Sequence, residues 1–192
     1  IPGFEVVRPG DANETSVAWR TIIERNKPVG FALTRQNLPV LDRSGELASA
    51  EGTARGGYIL AEGHGGSPEV IIIATGSEVQ IALAARDRLQ AEGTSTRVVS
   101  MPCVEWFLEQ DQDYRRQVLP PDVRARVSVE AGIAQGWHAF TGDAGECVSL
   151  EHFGASASYQ DLYREFGFTE ERVAAAARSS IARTKARKDD AS

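Results

Sequence analysis

Between residues 11 and 25 the apolar positions Val17, Ala18, Ile22 and Ile23 recur at helical spacing. Asp11 stands where an N-cap belongs, and Glu14 follows three residues later as in a capping box; Asn26 to Pro28 ends the pattern. Val29 to Leu33 is a short apolar run, which predicts a strand buried on both faces. From Asp42 to Arg55 the residues turn polar and small with no apolar period, which predicts a linker or surface excursion between two domains.

Beyond that stretch, strand and helix patterns alternate. Strands are predicted at Gly57–Leu60, Val70–Ala74, Arg97–Ser100, Ala125–Glu130 and Cys147–Glu151, with a tight turn over Glu62–Pro68. Ser77 and Gln80 form a capping box that opens a helix to about Ala91, closed by Gly93. Val104–Val118 and Ile133–Phe140 read as helices, Ser158 with Asp161 starts another that Gly167 ends, and Thr169 caps the last. The charged tail from Lys185 reads as frayed. Parallel strands need long crossovers, so this alternation predicts an α/β fold: a mostly parallel open sheet with flanking helices.

Composition changes this picture little. The chain has 192 residues, 42% hydrophobic and 25% charged, enough for one core and part of another. A net charge of −6 without a basic stripe argues against nucleic acid. The longest apolar run, Val70–Ala74, is far too short to span a bilayer. Cys103 and Cys147 follow no metal or redox spacing, which suits a reduced, cytoplasmic protein. Ile1-Pro2-Gly3 lacks the features of a signal peptide and reads as the middle of something longer.

Candidate chemistry is sparse. Thr34-Arg35-Gln36-Asn37 directly follows a predicted strand, and ligands of open α/β sheets collect outside the carboxyl ends of strands. Arg35 offers a planar fork of donors suited to phosphate or carboxylate, although a surface arginine is the plainer reading. Ala74-Thr75-Gly76-Ser77 could present amides to an anion, but capping already accounts for it. No glycine-rich dinucleotide or nucleoside-triphosphate motif is present. Glu130 and the pair Glu151-His152 could do acid–base work if they met; His64, His138 and His152 are spaced for neither zinc nor a triad. The aromatics Trp106, Trp137, Tyr159, Tyr163, Phe166 and Phe168 read as core or interface, with those around Trp137 and Tyr159 expected at an exposed interface. The basic residues of the last helix, from Arg172 to Lys188, complement its dipole and are assigned no ligand.

Several segments, taken in order, resemble the transketolase family over almost the whole chain. They are Arg8-Pro9-Gly10-Asp11-Ala12-Asn13-Glu14, Ala32-Leu33-Thr34-Arg35-Gln36-Asn37-Leu38-Pro39, Arg55-Gly56-Gly57-Tyr58, Ile73-Ala74-Thr75-Gly76-Ser77-Glu78-Val79, Arg97-Val98-Val99-Ser100-Met101-Pro102, Glu130-Ala131-Gly132-Ile133, Phe153-Gly154-Ala155-Ser156-Ala157 and Glu165-Phe166-Gly167-Phe168. One departure is Ser158, where the family carries proline, which is expected to alter a turn. The nearer rivals, deoxyxylulose phosphate synthase and 2-oxo acid dehydrogenase components, lack the Ala32–Pro39 segment. A non-enzymatic α/β interaction module is the remoter one.

The resemblance implies a helix–strand remnant of the pyrimidine-binding domain at 1–45, a linker at 46–55, the C-terminal domain at 56–186 and a tail at 187–192. It implies ketol transfer between sugar phosphates with thiamine diphosphate and a divalent cation, Mg or Ca, in a homodimer. Arg35 takes the family's substrate-phosphate role. The catalytic, cofactor and metal residues are expected outside this chain, leaving it inactive alone.

Overall fold

The computed structural model describes residues 1–189. Its main sheet has five strands: β3 (Tyr58–Ala61), β4 (Val70–Ala74), β5 (Thr96–Ser100), β6 (Arg126–Val129) and β7 (Glu146–Val148), in the order β3-β5-β4-β6-β7. All neighbours run parallel except β3, which pairs antiparallel with β5. The β3–β4 connection is short and carries only a 3-10 turn at His64–Gly66, so β3 cannot make the crossover that a parallel partner requires.

Central β4 has both faces covered, so it reads as a continuous apolar run rather than an alternation. Val70, Ile72 and Ala74 pack with α2 (Val79–Ala91) and α7 (Glu170–Asp189), through Ala82, Ala85, Leu89, Val173 and Ala177. Ile71 and Ile73 pack on the opposite face with Phe107, Val118, Trp137 and Phe140, from α3 (Val104–Leu108), α4 (Gln112–Val118) and α5 (His138–Thr141) with its approach. The predicted single helix over 104–118 is therefore two: Asp111 is extended and caps α4 by accepting from the Tyr114 amide. The helix expected over 133–140 is likewise a 3-10 turn at Ala134–Gly136 followed by short α5.

The expected Ser77–Gln80 capping box does not form. Ser77 lies inside a 3-10 turn, Gly76–Glu78, and its hydroxyl meets Glu78 and Tyr163. The expected caps Ser158 and Thr169 do form, accepting from the Asp161 and Arg172 amides, and Ser158 opens α6 (Tyr159–Glu165). Ser158 has φ −62°, the value proline imposes, so serine in place of proline requires no different turn. The last helix continues through Asp189 instead of fraying from Lys185; residues 190–192 lie outside the described residues.

The first segment forms β1 (Glu5–Val7), α1 (Ala12–Arg25) and β2 (Val29–Phe31), with β1 and β2 a parallel pair. Asp11 caps α1, and Asn26 closes it in the left-handed conformation. Strand β2 is half-buried, not enclosed on both faces as predicted, and pairs with β1 in a two-stranded sheet. The polar stretch after it does not cross open solvent: a 3-10 turn at Ala50–Arg55 buries Ala50 and Thr53.

Three polar ties join the first segment to the larger unit. The first lies at the end of β1, where the Arg8 amide donates to Pro102 O at 2.8 Å, and Arg8 O accepts from the Gly76 amide at 3.0 Å. Its guanidinium pairs with Glu78 at 3.2 Å and with Glu130. A side chain at Gly76 would crowd that guanidinium, and the φ of +60° there also suits glycine. The second is Glu14, fully buried, which accepts from the Gly10 amide, Tyr58 Oη and Ser100 Oγ, each at 2.7 Å. Burial, then the Glu14 carboxylate, drive the Tyr58 phenol well above its ordinary range.

The third tie is Glu5, which accepts from Arg25 at 2.6 Å, Lys27 at 3.2 Å and the indole of fully buried Trp106 at 2.6 Å. The Arg25 bond, with help from Trp106 and Lys27, lowers its pKa from 4.5 to about 2. A depressed folded-state carboxylate stabilises fully above its unfolded value and loses that contribution as pH falls through the folded one. Stability is therefore expected to decline between about pH 4.5 and 2, and Glu5→Gln to flatten that part of the curve. Thermal unfolding across this window tests it; an unchanged slope in the variant would exclude Glu5 as a contributor. Arg8→Ala is expected to cost about 2–3 kcal/mol, somewhat below a fully buried pair because Arg8 keeps 23% side-chain exposure. Adding Glu78→Gln, which removes the orphaned charge, is expected to recover part of the loss in denaturant midpoint.

Candidate functional site

Two places on this frame could hold a ligand. The first is the crevice above β4 and β6. The chain leaves β4 toward α2 on one face and leaves β6 toward α5 on the other, which makes the gap between their carboxyl ends the switch point where such sheets bind ligands. Here that gap is filled by this chain's own Arg8, which spans Glu78 from the β4 loop and Glu130 from the β6 loop. Trp137 Nε1 donates to Glu130 at 2.5 Å, and Tyr163 Oη donates to Glu78 at 2.6 Å. Burial, and next the Glu78 charge, raise the Tyr163 phenol. A cavity of about 270 Å³ remains between Val6, Met101, Glu130 and Trp137. Its carboxylates are committed to internal donors, so the arrangement locks two units together.

The pairing of Glu130 with Glu151-His152 does not occur. Glu151 accepts from the Ala134 amide and Ser149, while the exposed His152 ring lies edge-on to Phe166 at 4.9 Å. His64 meets Gln90, and His138 lies 3.9 Å from Cys147. Cys103 is buried, and burial pushes its thiol up to about 12, so it is inert. Trp137 is only 5% exposed and belongs to the core, contrary to the interface expectation; Tyr159 is half-buried. Three arginines of α7 also form ion pairs: Arg178 with Glu92, Arg183 with Glu146 and Arg187 with Asp143.

The second place is the loop after β2. Thr34, Gln36 and Asn37 face Asp11 and Thr15, at the start of α1, across an open cleft of about 360 Å³. Arg35 sits between two of these lining residues and is exposed, and among the described residues no carboxylate pairs with it. This contrasts with Arg8, Arg25, Arg43, Arg86 and Arg97, all held by acidic partners. A free guanidinium beside a polar cleft at a strand's carboxyl end can take an oxyanion through a charge-assisted fork. Sequence reasoning located Arg35. It missed the Arg8–Glu78–Glu130 cluster: each residue lies in a family-like segment, but nothing local shows that the three meet.

The residues present do not fit a diphosphate–metal group. Among the described residues no three His, Cys, Asp or Glu converge to hold a metal ion, and Asp11, Glu14, Glu78 and Glu130 already accept from internal donors. No described helix is long and apolar enough to cross a membrane.

Comparison with known proteins agrees with the arrangement. Residues 56–169 match the family described as transketolase-like TK C-terminal domain, and residues 1–40 match the transketolase pyrimidine-binding domain. The transketolase of Mycobacterium leprae is 57% identical over 92% of this chain, and that of Aquifex aeolicus 49% over 91%. A Pichia stipitis transketolase solved in complex with sedoheptulose-7-phosphate superposes with TM-score 0.85 at 38% identity, covering 96% of this chain. The chain spans about a quarter of the length of these relatives, 26%, 25% and 26% respectively. With the matched regions covering both the β1–β2 segment and most of the five-stranded unit, the chain belongs to the transketolase family.

Proposed function

We propose that this chain is the C-terminal part of an enzyme that transfers a two-carbon ketol unit between sugar phosphates, and that Arg35 holds the substrate phosphate. The observation that carries the reading is Arg35 itself, exposed and without an acidic partner among the described residues, on the loop whose Thr34, Gln36 and Asn37 line a polar cleft. The sugar phosphate bound by the Pichia stipitis relative supports the ligand class.

Thiamine diphosphate and its divalent cation, Mg or Ca, are assigned to residues outside this chain. On this reading the isolated chain does not catalyse ketol transfer. Residues 1–45 end the pyrimidine-binding domain, 46–55 connect it, 56–186 form the C-terminal domain and 187–192 its tail. The complete enzyme is a cytoplasmic homodimer. Exposed Ile133 (56%) and Phe153 (99%), at the carboxyl end of the sheet, support an apolar contact there in place of Trp137.

In the complete enzyme Arg35→Ala removes one charge-assisted contact, worth about 1.5–3 kcal/mol. KM for phosphorylated donors is expected to rise roughly ten- to a hundredfold, with kcat little changed because the phosphate is held alike in ground and transition states. Kinetics with unphosphorylated hydroxypyruvate are expected to stay level, and Arg35→Lys to restore only part of the affinity. Equal losses for both donors, or no loss for either, would remove Arg35 from this role.

A further inference from the structure

A phosphate-binding arginine on an irregular loop needs something to fix the loop. Residues 32–49 form neither helix nor strand. The start of this stretch is held where the Ala32 amide donates to Val7 O at 2.9 Å, extending the β1–β2 pairing by one bond. Beyond Arg35 the first bond back to the body of the protein is the Leu41 amide, which donates to Asp11 Oδ2 at 3.1 Å. The other carboxylate oxygen, Asp11 Oδ1, accepts from the Glu14 amide at 2.8 Å and so caps α1; it also lies 3.4 Å from Arg43 Nη2. Arg43 in turn donates to Ala48 O at 2.7 Å and to Tyr58 Oη at 2.9 Å. Asp11 is 3% exposed and lines the same cleft as Thr34, Gln36 and Asn37.

We propose that Asp11 is a positioning residue for substrate phosphate: its two oxygens divide the work, one capping α1 and the other anchoring the loop that carries Arg35. The inference rests on the phosphate role of Arg35. With the Leu41 anchor in place, the free span runs from Ala32 to Leu41 and is stiffened by Pro39. Without it, the next tie is at Arg43, two residues further on, and runs through a long side chain instead of a backbone amide. The loosened loop samples more conformers, and binding must then restrict them. Asp11 is nearly fully buried with both oxygens already accepting from the protein, so its part is the placement of Arg35.

Asp11→Asn separates the two jobs. Asparagine caps a helix about as well as aspartate, but its NH2 replaces one oxygen, so the Leu41 amide meets a donor. In the full-length enzyme with cofactor bound, the variant is expected to keep its α1 protection, with a modestly lowered melting temperature and faster hydrogen exchange at Leu41. KM for a phosphorylated donor is expected to rise about three- to tenfold, the scale of coupling between residues sharing one network, while hydroxypyruvate kinetics hold. Combined with Arg35→Ala, Asp11→Asn should add nothing, since the group it positions is gone. Unchanged exchange at Leu41, equal effects on both donors, or an additive double variant would overturn the inference while a selective Arg35→Ala left the phosphate role standing. A non-selective Arg35→Ala would remove both together.

Discussion

A guanidinium that ends one strand and neutralises two carboxylates from different loops organises this molecule. Arg8 enters the gap between the carboxyl ends of β4 and β6, where its backbone bonds to Gly76 and Pro102 and its side chain to Glu78 and Glu130. Glu78 is fully buried. Without Arg8 that carboxylate would keep only Tyr163 and Ser77 as donors, too few for a buried charge. The register of β1 on the larger unit is thereby fixed, and Gly10 is brought so close to Val79 that a Cβ there would lie 2.9 Å from its Cγ2.

The rest follows from that placement. With β1 set, β2 pairs beside it and α1 packs across the gap, where Glu14 meets Tyr58 and Ser100. Asp11, three residues before Glu14, is then at hand to cap α1 and hold the loop beyond β2. Arg35 emerges on that loop with no internal acid to satisfy it among the described residues. The C-terminal unit thus supports the polar cleft beside Arg35 without lining it, by acting as the surface on which the arginine loop is built. The usual ligand crevice of an open sheet is spent on this attachment.

Periodicity revealed those elements whose local pattern and tertiary setting agree. Central β4, helix α1 with its Asp11 cap, and α2 closed before Gly93 all carry their own signals. Strand β1 did not, because three residues with one exposed valine, Val6, carry too little period to stand out. The Ser77 capping box failed for a tertiary reason: buried Glu78 and Tyr163 compete for the hydroxyl. Position after a strand identified Arg35, whereas the anchoring role of Asp11 joins residues 30 apart in sequence and leaves no local trace. Trp137 was misread because aromatic character alone does not distinguish a core residue that needs an acceptor, here Glu130, from an interface residue.

The first segment and the five-stranded unit, joined by Arg8, Glu14 and Glu5, form one cooperative structure. Native-state hydrogen exchange of this chain measures it directly, by comparing the opening free energies of Val7, Val17 and Ala18 in the first segment with those of Ile72 and Val127 in the sheet. Both sets are expected to open together, with equal free energies and equal sensitivity to denaturant. Exchange of the first-segment amides through a separate, lower-energy opening while the sheet stays protected would contradict it.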